Sequence, residues 1–170
     1  MLSSLACANS FIQAAKQDHV SLTPLKLQKL IYLLYAKYYH ETNTPLFAEN
    51  FERWTYGPVI SRVYEAFKHY GGNPIEDFAR EYDGKTYVME MDDDLRECFR
   101  SVWRAFNGWD GRKLTDLTHK EGSAWWKVNE ESKQPNASQE AHGAARDGRN
   151  TYFLRLEDIY QDGEKLFDAQ

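Results

Sequence analysis

The sequence predicts a mainly α-helical fold, a single helical domain over 1–170 packed around one central apolar helix. Three observations support this fold class: an apolar segment of helical period over 22–39, further helical patterns on both sides of it, and few strand signals. The 170 residues are 42% hydrophobic and 28% charged. This composition is globular, and the chain is long enough to bury a substantial core.

The segment 22–39 carries most of that prediction. Thr23 is a typical N-cap, and Pro24 fits a first turn, where a missing N–H costs nothing. Three stripes follow along the helix: an apolar one (Leu27, Leu30, Ile31, Leu34, Tyr38), one of rings with an amide (Gln28, Tyr32, Tyr35, Tyr39), and one of lysines (Lys26, Lys29, Lys37). A helix that is apolar on two sides is expected at the centre, with the lysines as its solvated edge.

Helical patterns also predict shorter elements along the chain. They cover 3–16, a helix with Pro58 at its first position that ends at Gly71, a helix capped by Asp92 or Asp93, and a short segment at 111–119. The segment 121–128 then holds the Trp125-Trp126 pair. The Asp83-Gly84 pair favours a short β-hairpin near 79–91, although two strands alone are marginal.

The C-terminal third is less regular. Residues 129–150 are polar and indicate a long loop or a frayed helix. Residues 151–170 regain apolar side chains, and we expect this segment to dock on the core. Gly163 argues against a single regular helix there.

Charge and cysteine content exclude some classes of protein. The net charge of −5 argues against nonspecific nucleic-acid binding. No apolar stretch approaches the roughly 20 residues of a membrane span, and no signal-peptide pattern begins the chain, so we expect a cytoplasmic protein without a membrane partner. Cys7 and Cys98 are expected to be buried free thiols.

The chain shows no motif for a metal or a cofactor, and none is predicted. Its five histidines form no i, i+4 pair with ligand spacing, and its glycines form no phosphate loop. The segment around His119 and Glu121 is the best candidate for chemistry, since these side chains could share a proton. The alternative, which we favour, is that His119 caps or braces the turn between two helices by hydrogen bonds to backbone.

Two surfaces are candidates for recognition. Trp54 and Tyr56 are either recognition residues or core, because large rings serve interfaces and interiors equally. The stripe containing Gln28 and Tyr32 is either half-buried core or the wall of a groove for a partner.

Several motifs in order resemble the Panacea domain family, the SocA-like or phage-associated GepA-like group. The matching motifs are Leu22-Thr23-Pro24-Leu25-Lys26-Leu27-Gln28-Lys29-Leu30 with its continuation to Tyr39, Pro45-Leu46-Phe47, Phe51-Glu52-Arg53-Trp54-Thr55-Tyr56-Gly57-Pro58-Val59, Val63-Tyr64, Tyr70-Gly71, and 114–125 with Leu117-Thr118-His119. The resemblance covers about 5–127. Ala124 departs from it, because the family usually has a proline before this tryptophan; 129–150 is longer than usual, and the C-terminal tail matches poorly.

The resemblance implies a mostly helical antitoxin that neutralises a cognate toxin by direct protein binding, without catalysis. Alternatives are a proteolytic adaptor that delivers its partner to a AAA+ protease, a phage anti-defence or host-takeover binding protein, or an enzyme that uses His119 and Glu121. The residues expected at the partner-binding surface are Lys26, Gln28, Lys29, Tyr32, Trp54, Tyr56 and Tyr64. His119 and Trp125 are expected to brace that region.

Overall fold

The computed structural model describes residues 2–134, 142–146 and 149–168. It confirms a mainly α-helical fold. The helices are α1 (Ser4–Gln17), α2 (Pro24–Thr42), α3 (Ser61–Phe67), α4 (Asp93–Phe106), α5 (Gly111–Thr118), α6 (Ala124–Ser132) and α7 (Leu156–Lys165), and a 3₁₀ turn, Lys68–Tyr70, follows α3. Two antiparallel strand pairs complete it: β1 (Glu52–Trp54) with β2 (Gly57–Val59), and β3 (His142–Arg146) with β4 (Arg149–Tyr152). Among the described residues, no helix has both the length and the hydropathy needed to cross a lipid bilayer.

Helix α2 is the centre of the molecule, as the sequence predicts. The Thr23 hydroxyl accepts a hydrogen bond from the Lys26 N–H at 3.3 Å, and Pro24 occupies the first turn. Helices α1, α3, α4, α5 and α7 all pack against α2. Because neighbours surround it, every residue of α2 from Lys26 to Ala36 is buried.

The core combines aliphatic residues with a cluster of rings. The Tyr35 ring lies 5.0 Å from the Phe47 ring and 5.1 Å from the Phe51 ring, and Tyr32 contacts Phe51 edge-on at 5.0 Å between centroids. Edge-on pairs of this kind add about 0.5–1.5 kcal/mol beyond the area they bury. Within the ring stripe on α2, Tyr32 and Tyr35 are therefore core residues. Cys7 and Cys98 are free and buried, as predicted.

The pair β1–β2 replaces the start of a predicted helix. The prediction that Pro58 begins this helix is wrong, because Pro58 lies in β2 opposite Arg53 and α3 begins only at Ser61. The other edge of β1 is covered too, since the Leu154 N–H donates to the Phe51 carbonyl at 2.9 Å. The strands thus end up enclosed by the helical body and the segment after β4.

The predicted β-hairpin near 79–91 is a turn without strands. Gly84 takes φ +78°, and the Glu81 N–H donates to the Lys85 carbonyl at 2.8 Å across the turn. The turn signal of Asp83-Gly84 is thus realised, but the two arms separate directly after it.

Side chains of α1 hold these arms apart. The Asn9 amide donates to the carbonyls of Ala79 (3.0 Å) and Tyr87 (2.8 Å) and accepts from the Ala79 N–H (2.8 Å). The Ser10 hydroxyl accepts from the Met89 N–H at 2.8 Å. Backbone groups that would pair across a hairpin are thus satisfied by α1, which explains why strands do not form.

Helix α7 packs directly along α2, and Gly163 permits this. A Cβ on Gly163 would lie 2.2 Å from the Ala36 carbonyl oxygen and 2.4 Å from the His40 Cβ. The expectation that Gly163 interrupts the helix is wrong, because the absent side chain lets the two helix backbones approach closely. The predicted polar loop at 129–150 lies partly outside the described residues; its described parts hold the end of α6, β3 and the start of β4.

Candidate functional site

A groove of about 410 Å³ opens between the first turn of α2, the β1–β2 hairpin and α3. We call it the aromatic groove. Its lining residues are Pro24, Leu25, Leu27, Gln28, Trp54, Thr55, Tyr56, Val59, Val63, Tyr64, Phe67 and Gly71. This lining is mostly apolar, and it includes four of the seven residues that the sequence places at a partner-binding surface.

Three rings define the outer wall of the aromatic groove. The Trp54 and Tyr64 rings meet edge-on with centroids 4.6 Å apart, and the Trp54 indole N–H donates to Glu52 Oε2 at 3.0 Å. Tyr56 is 67% exposed at the hairpin turn, and Tyr64 is 38% exposed. Trp54 and Tyr56 thus line a groove and do not belong to the buried core.

The hairpin sits tightly on the helices below it because Gly57 has no side chain. Gly57 pairs with Trp54 in the strand register and takes φ +111°, a backbone conformation that favours glycine. A Cβ at this position would lie 2.8 Å from Lys29 Cε and 2.9 Å from Thr118 Oγ1. Gly57 thus allows the turn residues Thr55 and Tyr56 to project over the groove.

Polar side chains of α2 hold the hairpin in place. The Gln28 amide donates to the Ile60 carbonyl at 3.1 Å and accepts from the Ile60 N–H at 3.0 Å, as a neighbouring strand would. The Lys29 ammonium donates to the Pro58 carbonyl at 2.9 Å. Both side chains are buried and hold the hairpin that forms the groove; Gln28 also lines the groove, whereas Lys29 does not.

The predicted solvated lysine edge is wrong for Lys26 and Lys29. Lys29 is fully buried, and burial lowers its pKa to about 7. Lys26 is 6% exposed and donates to the Asn107 carbonyl at the end of α4, where a cation is favourable. Burial lowers the pKa of Lys26, partly opposed by the charge of Asp110. Both lysines donate to backbone carbonyls of other segments of the chain. The spacing of residues along α2 alone does not show these partners.

Tyr32, another predicted surface residue, lies deep in the core. Its hydroxyl donates to Asp162 Oδ2, and the Ala124 N–H at the start of α6 donates to the same oxygen at 3.1 Å. Burial raises the pKa of Asp162 to about 6, and burial together with the Asp162 charge raises that of Tyr32. Tyr32 therefore joins α2, α6 and α7 and does not reach the groove.

His119 and Trp125 lie beneath the hairpin, where the sequence places a brace. Their rings stack with centroids 3.5 Å apart and planes 9° apart, and the Trp125 indole N–H donates to the Trp54 carbonyl at 2.7 Å. Burial, and then the charge of Lys29, lower the pKa of His119. In the described part of the chain, no hydrogen bond partner faces His119 Nε2. The contact is a stacked pair rather than the expected hydrogen bonds to backbone.

The aromatic groove offers apolar contacts and few reactive groups. Its described lining includes no carboxylate, imidazole, amine or thiol. Glu121 lines a separate cavity together with Ser123 and Asp162, and within the described ranges no hydrogen bond joins it to His119. Residues 2–134, 142–146 and 149–168 likewise include no group of three or more metal-ligating side chains. This arrangement suits recognition of an apolar surface.

Sequence reasoning missed several lining residues, of which Leu25 is the clearest. Leu25 was assigned to none of the three stripes of α2, yet it lies one turn before Gln28 and lines the groove beside it. Residues three apart share one face of a helix, so extending the stripe that contains Gln28 back by three residues identifies Leu25. Gly71 carries no comparable signal, because it reaches the groove only through the path of the chain after α3.

Comparison with known proteins agrees with this architecture. The family model described as "Antitoxin SocA-like, Panacea domain" matches residues 27–126, which include most of α2, the hairpin and most of the aromatic groove. Antitoxin SocA of Caulobacter vibrioides (strain NA1000 / CB15N) is 27% identical to this chain over an alignment of 125 residues. The alignment covers 71% of this chain and 66% of antitoxin SocA, so the chain spans just under two thirds of that protein's length. No solved structure matches the chain. The resemblance seen in the sequence is thereby confirmed, and the chain belongs to the SocA-like antitoxin family with a Panacea domain.

Proposed function

We propose that this protein is a noncatalytic antitoxin that neutralises a cognate toxin in the cytoplasm by binding it at the aromatic groove. Membership of an antitoxin family supports the general role. The observation that supports the location is the exposed Tyr56 ring above a groove lined by Trp54 and Tyr64.

The physical argument rests on rings that are already held in position. Binding energy concentrates in a few Trp, Tyr and Arg residues at the centre of an interface, where truncation to alanine costs about 2 kcal/mol or more. Trp54 is fixed by Tyr64 and by Glu52, so little side-chain entropy is lost when a partner packs on it. A volume of about 410 Å³ accepts a few large apolar side chains of the toxin.

The test is co-expression with the product of the neighbouring open reading frame, after expression of that product alone is shown to stop growth. Wild-type protein is expected to restore growth and to co-purify with the toxin. Tyr56→Ala and Tyr64→Ala are expected to weaken binding about 30-fold each, which corresponds to about 2 kcal/mol. Tyr82→Ala is the matched control, because Tyr82 is 98% exposed and lies outside the groove.

Three results would contradict the proposal. Equal loss of rescue in Tyr82→Ala and Tyr56→Ala would show that the groove has no special part. Rescue that needs a host protease, with the toxin disappearing from the cell, would indicate the adaptor alternative. Rescue that is lost only in a folded His119→Ala protein would indicate catalysis.

A further inference from the structure

In the arm after the Asp83-Gly84 turn, the protein binds backbone groups of alternate residues on one side. The Lys85 carbonyl accepts from the Glu81 N–H (2.8 Å), the Tyr87 carbonyl from the Asn9 amide (2.8 Å), and the Met89 N–H donates to the Ser10 hydroxyl (2.8 Å). These are alternate residues, as the period of two in an extended chain requires. This alternation indicates an extended backbone, although the arm forms no paired β-strand.

The opposite edge of the arm is open. The same alternation directs the backbone N–H and C=O groups of Thr86, Val88 and Glu90 away from α1. In the ranges that the structure describes, none of these groups has a hydrogen bond partner in the protein. Val88 is 40% exposed and Tyr87 is 43% exposed, so apolar side chains accompany the open edge.

This edge differs from the β1–β2 edges. The β2 side is bound by the Gln28 and Lys29 side chains, and the β1 side is bound by the Leu154 N–H. Proteins usually cover or charge an exposed edge to prevent pairing with another chain. The arm contains no proline, and an open edge fixed in an extended conformation is the form to which an extended peptide adds as a further strand.

The charge around the arm indicates which peptides fit. Carboxylates outnumber basic side chains over 76–97; they are Glu76, Asp77, Glu81, Asp83, Glu90, Asp92, Asp93, Asp94 and Glu97, against Arg80, Lys85 and Arg96. Arg62 of α3 neutralises one of them, because it forms an ion pair with Glu81. Asp83 and Glu90, at the two ends of the arm, are exposed. An acidic surface attracts a basic partner and disfavours pairing between two copies of this arm.

We propose that the open edge at Thr86, Val88 and Glu90 binds an extended basic segment of another polypeptide by strand addition. The main-chain hydrogen bonds supply affinity, while the surrounding carboxylates select for lysine and arginine. This surface is separate from the aromatic groove, and the proposal does not depend on toxin binding there.

The test uses the full-length protein and a short peptide of alternating lysine and valine, followed by amide hydrogen exchange in NMR. At about 90% occupancy, exchange of the Val88 and Glu90 amides is expected to slow about tenfold, because it proceeds only from the free protein. The effect is expected to weaken at high salt and to be absent for a peptide of alternating glutamate and valine. Val88→Pro removes one N–H from the edge and is expected to abolish it, whereas Val88→Thr keeps that N–H and the branched shape and is expected to retain it.

Other outcomes overturn the proposal. They are unchanged protection in Val88→Pro, no protection at all, protection at the aromatic groove instead, or protection without peptide that rises with protein concentration, which would mean pairing between copies. If Val88→Pro lowers the thermal midpoint of unfolding, the test uses Glu90→Lys instead, because this variant keeps every backbone N–H of the arm. Weaker binding of the lysine–valine peptide by Glu90→Lys at low salt supports the proposal, and binding equal to that of wild type refutes it. Tyr56→Ala is expected to bind the peptide normally, which separates this surface from the groove.

Discussion

Replacing Lys29 with methionine is expected to change how the stability of this protein depends on pH. Lys29 is fully buried below the hairpin, with the Pro58 carbonyl 2.9 Å from its ammonium. Burial lowers its pKa from an ordinary value near 10.4 to about 7. Since one pKa unit corresponds to about 1.36 kcal/mol, the charged form costs the folded state about 5 kcal/mol.

The direction of the effect follows from which state binds the proton. Between pH 7 and about 10, the unfolded chain keeps the Lys29 proton and the folded protein has lost it, so stability rises with pH. Below pH 7 both states are protonated, and the full cost is present. The free energy of unfolding of wild type minus that of Lys29→Met is therefore expected to grow by about 2 kcal/mol between pH 6 and pH 8.5.

Urea unfolding of both proteins at several pH values measures this difference. Groups that titrate equally in both proteins, such as the buried thiols of Cys7 and Cys98, cancel in the subtraction. Lys37→Met is the control, because it removes the same charge from the surface of the same helix, where Lys37 faces Glu41 at 3.5 Å. If wild type and Lys29→Met keep parallel pH profiles, Lys29 is charged in the folded protein and the reasoning fails.

Three further substitutions test the packing of the fold by urea or thermal unfolding. Gly163→Ala is expected to lower the free energy of unfolding by about 1–3 kcal/mol or more, because the added Cβ would lie 2.2 Å from the Ala36 carbonyl oxygen of α2. Gly108→Ala is the control, because Gly108 has open space around it and the change is expected to alter stability little. Equal effects of the two substitutions would refute close packing of α7 on α2. Asp162→Asn removes a carboxylate whose pKa is raised to about 6, so the stability of wild type relative to this variant is expected to fall by about 2 kcal/mol as pH rises from 4 to 6, and a rise would contradict the assignment. Gln28→Ala is expected to lower the free energy of unfolding by about 2–4 kcal/mol, because it leaves the N–H and the C=O of Ile60 without their partner. A decrease below about 0.5 kcal/mol would show that water replaces the Gln28 amide.

Local signals predicted what depends on neighbouring residues in the chain. Ser3, Thr23 and Asp92 cap their helices with side-chain oxygens, as residue type and position indicate. The central place of α2 also follows from the sequence, because a helix that is apolar on two sides needs neighbours on both. The left-handed turn at Gly84 depends in the same way only on the residues beside it.

Tertiary structure decided what depends on partners distant in sequence. Only folding brings Lys29 to the Pro58 carbonyl, so the sequence does not show that this side chain avoids water. Folding likewise brings Asn9 to the arms at 79–91, so that the arms bond to Asn9 and do not pair with each other. Gly163 is ambiguous in sequence for the same reason, since a glycine that breaks an isolated helix also permits two helices to touch. The sequence by itself determined most of the helices and their order, whereas the aromatic groove exists only because buried polar side chains of α2 bind the backbone of a hairpin about thirty residues further along.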